Sequence, residues 1–115
     1  MALDTVSEYV SAARVLLNDE TTPYRYSDVK LLLALNMSMF EARAKRPDLF
    51  IDRFDSIPQF AAVDSTAVTM DRQARLPLVY FMVGHTQLLD DEEASDARAT
   101  VLLNKFIARL MTAAG

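Results

Sequence analysis

Hydrophobic residues recur along this chain at the spacing of amphipathic α-helices in three segments, and a fourth segment is apolar on nearly every side. The first helical row consists of Val6, Val10, Ala13 and Leu17. Thr5 and Glu8 stand at the spacing of a capping box, in which each side chain satisfies a free backbone amide at a helix start. Because the polar stretch 18–23 ends the pattern, the sequence predicts a helix at about residues 5–18.

A second helix is predicted at about residues 28–46, with Ser27 as its N-cap and Pro47 ending it. Its apolar positions form one broad predicted face: Val29, Leu32, Leu33, Asn36, Met37 and Phe40, widened by Leu35, Met39 and Ala42. Asn36 lies on that face and needs hydrogen-bond partners, either inside the bundle or across a subunit boundary.

The segment from Leu76 to Val83 contains no charged side chain and is the most hydrophobic window of the chain. A segment that is apolar all round belongs in the middle of a core, and this one is shorter than the roughly 20 residues that cross a bilayer. Periodicity alone does not separate a buried helix from a buried strand. Pro77 suits a first helical turn, and apolar residues resume at Leu88 without a turn signal, so we predict a helix at about 72–91.

A last helix is predicted at about 95–113, where Ser95 is a fair N-cap. Its predicted core face is Leu102, Leu103, Phe106, Ile107, Leu110 and Met111. Four helices and short turns make an all-α, small four-helix bundle in a single domain, residues 1–115.

The connection at about residues 47–71 does not keep a helical period. So long a connection is rare in a compact domain and is usually functional. Two interpretations stay open: an irregular lid over the core, or an arm that becomes ordered against a partner.

Composition narrows the function classes. With two glycines and four prolines a strand-and-turn sandwich is disfavoured, and without cysteine there is no disulfide framework or thiolate metal site. The net charge of −4 argues against nucleic-acid binding as the main task, because that task needs a concentrated basic face.

Candidate chemistry is sparse. His85 is the only histidine, and the positions one helical turn after it are Leu88 and Leu89, so it lacks a partner at metal-ligand spacing. The acidic run 90–93 lacks the alternating oxygen ligands and the glycine of a calcium loop. We therefore predict no catalytic residue, no metal site and no cofactor.

In order and spacing, several segments together resemble the head-to-tail adaptor (connector, or head completion) proteins of tailed bacteriophages. The matching residues are Ala13-Arg14, Leu16-Leu17-Asn18-Asp19, Tyr26-Ser27-Asp28, Leu32, Leu35-Asn36, Arg46-Pro47-Asp48, Val79-Tyr80, Leu89-Asp90-Asp91, Ala97-Arg98-Ala99 and Phe106. The likeness spans nearly the whole chain, and residues 52–70 are its least family-like part.

This resemblance implies a helical structural protein of the virion neck, made in the host cytoplasm and repeated, usually twelvefold, as a homo-oligomeric ring. Such a ring binds the portal protein on one side and the tail tube or nozzle protein on the other. Genomic DNA passes through its channel without specific binding, and no membrane is involved. The candidate partner-interface residues are Ile57, Pro58, Phe60, Val63, Leu110 and Met111.

Two hypotheses from other classes remain beside the adaptor. One is a small intracellular regulatory or binding helical bundle, which nothing in the chain except the resemblance contradicts. The other is an enzyme using Asp90, Asp91 and His85, which has the least support because no pattern places these groups in a dry pocket.

Overall fold

The computed structural model describes residues 3–53, 58–89 and 96–112. Four α-helices are present in these ranges: α1 (Val6–Leu17), α2 (Asp28–Lys45), α3 (Arg72–Leu88) and α4 (Asp96–Thr112). A short 3₁₀ helix, Pro47–Arg53, follows α2 and is kinked at Phe50. The predicted all-α four-helix bundle is confirmed; the predicted cap Ser95 lies outside the described residues.

Local signals set the starts of α1 and α2. The Thr5 hydroxyl accepts from the Glu8 N–H and the Glu8 carboxylate accepts from the Thr5 N–H, which is the predicted capping box. Ser27 caps α2 by accepting from the Lys30 N–H. α1 ends at Asn18, whose left-handed backbone (φ 56°) is the usual way for a helix to stop.

α3 forms the centre of the bundle, as predicted. The other three helices all pack against it, and its side chains are buried on most sides, including Leu78, Val79, Met82 and Val83 at 0% exposure. Pro77, however, lies inside the helix rather than in its first turn, because α3 already begins at Arg72. Proline at this position removes one intrahelical N–H, a loss that burial of the surrounding apolar side chains offsets.

The predicted face of α2 is correct only in part: its three widening residues, Leu35, Met39 and Ala42, are buried, whereas four of its other members are exposed. The residues that α2 buries are Leu31, Ala34, Leu35, Ser38, Met39 and Ala42. Val29 is 75% exposed, and Leu33 and Phe40 are about half exposed. α2 is apolar on two opposite sides, and the buried side combines three large side chains with the small Ala34, Ser38 and Ala42. Because both sides are apolar, the hydrophobic pattern by itself does not decide which of them is buried.

The predicted core face of α4 is correct in part. Leu102, Phe106 and Leu110 are buried, joined by Ala99, and Leu103 is half-buried. Ile107 and Met111 lie on the surface, 40% and 52% exposed. The stripe that contacts α3 is therefore narrower than the predicted one.

Residues 58–71, which we call the strap, fold back on their own subunit. The Val6 N–H donates to the Thr66 carbonyl and the Ser7 N–H to the Asp64 carbonyl, both at 3.0 Å. These two amides belong to the first turn of α1 and have no partner within the helix, so the strap satisfies them. Val68 and Met70, which belong to the strap, are buried in the core. Of the two interpretations of this connection, the described part matches the lid over the core.

Candidate interaction site

The side chain of Arg14 holds the corner between α1 and α2. Its guanidinium donates to the Asp19 carboxylate at 3.0 Å and to the Tyr26 carbonyl at 2.9 Å. A further hydrogen bond, at 2.6 Å, reaches Asp28 in the first turn of α2. Its fourth neighbour is the Tyr24 ring, whose centroid lies 3.7 Å from the guanidinium carbon. We call these residues the Arg14 cluster.

Asp19 links this cluster to the backbone that precedes α2. Its two carboxylate oxygens accept from the backbone N–H groups of Arg25 and Tyr26, at 2.8 and 3.0 Å. The side chains of Arg14 and Asp19 are each only 7% exposed, so this is a buried ion pair whose remaining hydrogen-bonding groups are satisfied. The motif Ala13-Arg14 with Asn18-Asp19 and Tyr26-Ser27-Asp28 thus serves to fix two helices against each other.

A second arginine holds the other end of α2. Arg46 forms a two-pronged salt bridge with Asp48, with N···O distances of 2.9 and 2.8 Å, and also donates to the Leu110 carbonyl of α4 at 2.7 Å. The hydrogen bond from Arg46 holds the pKa of Asp48 below its usual value. Arg46-Pro47-Asp48, like the Arg14 cluster, is structural: it ties the end of α2 to the last turns of α4.

The side chain of Asn36 has hydrogen-bond partners inside the subunit. Its side-chain amide donates to the Phe60 carbonyl at 3.0 Å, and its carbonyl oxygen accepts from the Phe60 N–H at 2.9 Å. This pairing copies one rung of a β-ladder and anchors the strap to the middle of α2. No hydrogen bond across a subunit boundary is needed to satisfy this amide.

The candidate interface residues differ in their burial. Phe60 and Val63 are half-buried and pack against the core, and Pro58 is also half-buried. Leu110 is fully buried, so it is a core residue and not a surface one, whereas Met111 is exposed on α4. Ile57 lies outside the described residues.

The surface that sequence analysis missed is the outward side of α2. Val29, Leu33, Met37, Phe40 and Ala44 are all exposed and follow each other at intervals of four, four, three and four residues. We call this set the outer face of α2. Its spacing is that of a helix-packing seam, and the signal was present in the sequence but was assigned to the core.

Beside Leu33 this face opens into a small cavity of about 140 Å³ between α2 and the end of α3. The cavity is lined by Tyr26, Lys30, Leu33, His85, Thr86 and Leu89. Leu89 lines this cavity and is 64% exposed, so apolar surface continues from α2 onto the C-terminal end of α3.

His85 is positioned by packing. Its ring stacks on Phe81 with centroids 5.4 Å apart and planes 13° apart. Burial lowers the pKa of His85, and the negative charge of Glu41 opposes that shift. Within the described ranges no three His, Asp or Glu side chains group closely enough to hold a metal ion. Asp90 and Asp91 lie outside those ranges, so the prediction of no catalytic site stays a prediction.

None of the helices in the described ranges has the length and apolar character needed to span a bilayer. Comparisons with protein-family models, with curated proteins and with solved structures found no match to this chain.

Proposed function

We propose that this protein is a head-to-tail adaptor of a tailed bacteriophage: a structural subunit of the virion neck that assembles as a ring, joins the portal to the tail and continues the DNA channel. The observation that carries the proposal is how the motifs of the resemblance are used. Their charged groups at Arg14, Asp19, Asp28, Arg46 and Asp48 fix the helices of one subunit, while the outer face of α2 is apolar and exposed.

A ring subunit needs both features, a rigid interior and exposed apolar contact surfaces. It must keep a fixed shape, because every contact repeats around the ring, and it must present faces that another protein covers. Apolar patches of several hundred Å² on a soluble domain mark sites of protein association. The outer face of α2 supplies such a patch, and the two arginine clusters hold α2 at both ends.

The proposed partners are further copies of this chain, usually twelve to a ring, with the portal protein on one side and a tail tube or nozzle protein on the other. DNA passes through the ring without specific binding. The net charge of −4 supports that last point, because acidic groups facing a channel do not hold DNA.

The decisive experiment follows the chain in an infected culture. Particles purified by density gradient are analysed by mass spectrometry, and a tagged copy is located by electron microscopy. We expect the chain to travel with particles and the tag to mark the neck. Finding the chain only in the soluble lysate would overturn the proposal and favour the small regulatory or binding bundle, which the outer face of α2 also suits as a groove for one partner helix.

The strap is the proposed contact with a neighbour or the tail. Deleting it would also remove its bonds to α1, so exposed substitutions between its packed residues are a sharper test. Ala61→Glu with Ala62→Glu leaves Phe60 and Val63 in place. Loss of tail attachment with an unchanged thermal unfolding curve supports the strap as an interface. Unchanged tail attachment would show that the strap is not part of the interface.

A further inference from the structure

The outward side of α4 carries no charge. Ala97, Val101, Asn104, Ala108 and Met111 are all exposed and follow each other at intervals of four, three, four and three residues. We call this set the outer face of α4. A helix on the surface of a soluble domain normally turns its charged residues to that side, so an uncharged seam over four turns indicates that something covers it.

Three cationic residues of α4, Arg98, Lys105 and Arg109, lie to one side of this seam and face other parts of the same chain. Arg98 donates to the Leu16 carbonyl of α1 at 2.6 Å. The Lys105 ammonium lies 5.8 Å from the centroid of the Tyr80 ring. Arg109 lines a cavity with Gln73 and Tyr80 of α3. The flank of α4 is therefore used inside the subunit, and the outer face is left clear.

The outer faces of α2 and α4 cannot cover each other within one subunit. Both helices pack on α3, touch each other little, and turn their outer faces away from the core that they share. One chain therefore presents two different uncharged faces.

These two faces are complementary in size. The outer face of α2 has bulky side chains at Leu33, Met37 and Phe40. On the outer face of α4 the small Ala97 and Ala108 alternate with larger side chains such as Val101 and Met111. Bulky side chains set between small ones let two helices approach closely, and a single polar residue such as Asn104 in an apolar seam fixes the register.

We propose that the outer face of α4 of one copy packs on the outer face of α2 of the next copy, which makes a head-to-tail contact. This inference rests on the ring of the proposed function and names the faces through which neighbouring copies would touch. The contact itself depends only on these two faces and can be tested without the virus. The exposed apolar side chains of the α2 face offer roughly 400 Å², within the range of functional patches on monomers. A standard interface buries about 800 Å² per partner, so a single contact is weak and a closed ring of them is stable.

Head-to-tail contacts have a signature that two blocking variants reveal. Leu33→Glu charges the α2 face and Ala108→Glu charges the α4 face; both positions are exposed, so the fold is kept. Each variant alone is expected to sediment as a monomer at concentrations where the wild-type chain assembles. A one-to-one mixture retains one intact face of each kind, so at protein concentrations high enough to populate a single weak contact it is expected to give a heterodimer and nothing larger.

Three results would overturn the inference: a wild-type chain that stays monomeric at the highest soluble concentration, an Ala108→Glu variant that still dimerises by itself through α2, or blocking variants that assemble like the wild type. The matched control is Ser11→Glu on the exposed side of α1, which is expected to assemble normally. Circular dichroism melting confirms that each variant is folded.

The absence of cysteine provides a second measurement. Met37→Cys mixed with Asn104→Cys and oxidised with diamide is expected to give the mixed disulfide, and neither variant alone a homodimer. Homodimers of Met37→Cys would contradict the pairing. Running the same cross-link in purified particles separates the two proposals. If the cross-link forms in solution but the chain is absent from particles, only the adaptor function is overturned. If the chain is present at the neck but the cross-link does not form there, only this contact is overturned.

Discussion

α2 and α3 are both long, strongly hydrophobic helices, but the molecule holds them in different ways. α3 is held by its sides, since three helices surround it and its apolar residues are buried in almost every direction. α2 is held on one side, by the packing of its buried residues against α3, by Arg14 and Arg46 at its ends and by Asn36 in its middle. Its opposite side stays apolar and uncovered. Hydrophobic content therefore indicates how many sides of a helix must be covered, and an uncovered apolar side points to a partner.

A charged residue introduced into each helix gives the largest expected contrast. Met82 of α3 is 0% exposed and Met37 of α2 is 36% exposed. Met82→Lys buries an unpaired charge and is expected to lower the free energy of unfolding by more than about 4 kcal/mol. Met37→Lys is expected to change it by no more than about 0.5 kcal/mol in the dilute monomer. Urea unfolding measures both, and equal losses would contradict the contrast.

The attachment of α2 through its ends is tested at Arg14. Arg14→Met leaves the buried Asp19 carboxylate without its counter-charge, and the expected loss is about 3–5 kcal/mol of unfolding free energy. Arg98→Met is the matched control: Arg98 also donates to a backbone carbonyl but is exposed, and we expect a loss of no more than about 1 kcal/mol. Comparable losses in chemical denaturation would show that the Arg14 cluster is not what holds α2.

The tight packing around α3 is tested at Gly84. A Cβ atom there would lie 2.9 Å from Leu103 Cγ and 3.1 Å from the Ala99 carbonyl oxygen, so α4 would have to move. Overpacking costs about 1–3 kcal/mol and alanine regains about 1 kcal/mol of helix propensity, so Gly84→Ala is expected to lose about 1 kcal/mol net. In a Leu103→Ala background the same change should be neutral or stabilising, and a double-mutant cycle by thermal unfolding measures the difference.

The smallest effect concerns His85, where α3 meets the cavity beside α2. Burial lowers its pKa in the folded state below that of the unfolded chain, near 6.5. As the pH falls from that value to the folded pKa, the unfolded state binds the proton first, so stability is lost in that window and is fully present above it. His85→Gln removes this dependence. Melting temperatures measured from pH 7.5 to pH 5 should fall less in the variant, and parallel curves would show that His85 does not contribute.

What the sequence determined by itself is the set of helices and their ends. Thr5 with Glu8, Ser27, and Pro47 act through hydrogen bonds or sterics within a few residues, so local chemistry settles them. The apolar run of α3 also predicts that this helix is buried, because a helix that is apolar on every side has no polar side to expose to water. Arg14 carried a weaker signal: it lies four residues after Val10 on a core-facing row, where only a paired charge is tolerated.

Tertiary structure alone decided which side of α2 faces the core and where the strap lies. Both sides of α2 are apolar, so the hydrophobic pattern did not distinguish them, and the predicted face combined residues that the fold divides between core and surface. The strap has no period at all, and its position depends on the free amides of α1 and on the amide of Asn36, both distant in sequence. Which of two apolar helix surfaces is buried depends on the partner groups available to each, and those groups are brought into place only when the whole chain has folded.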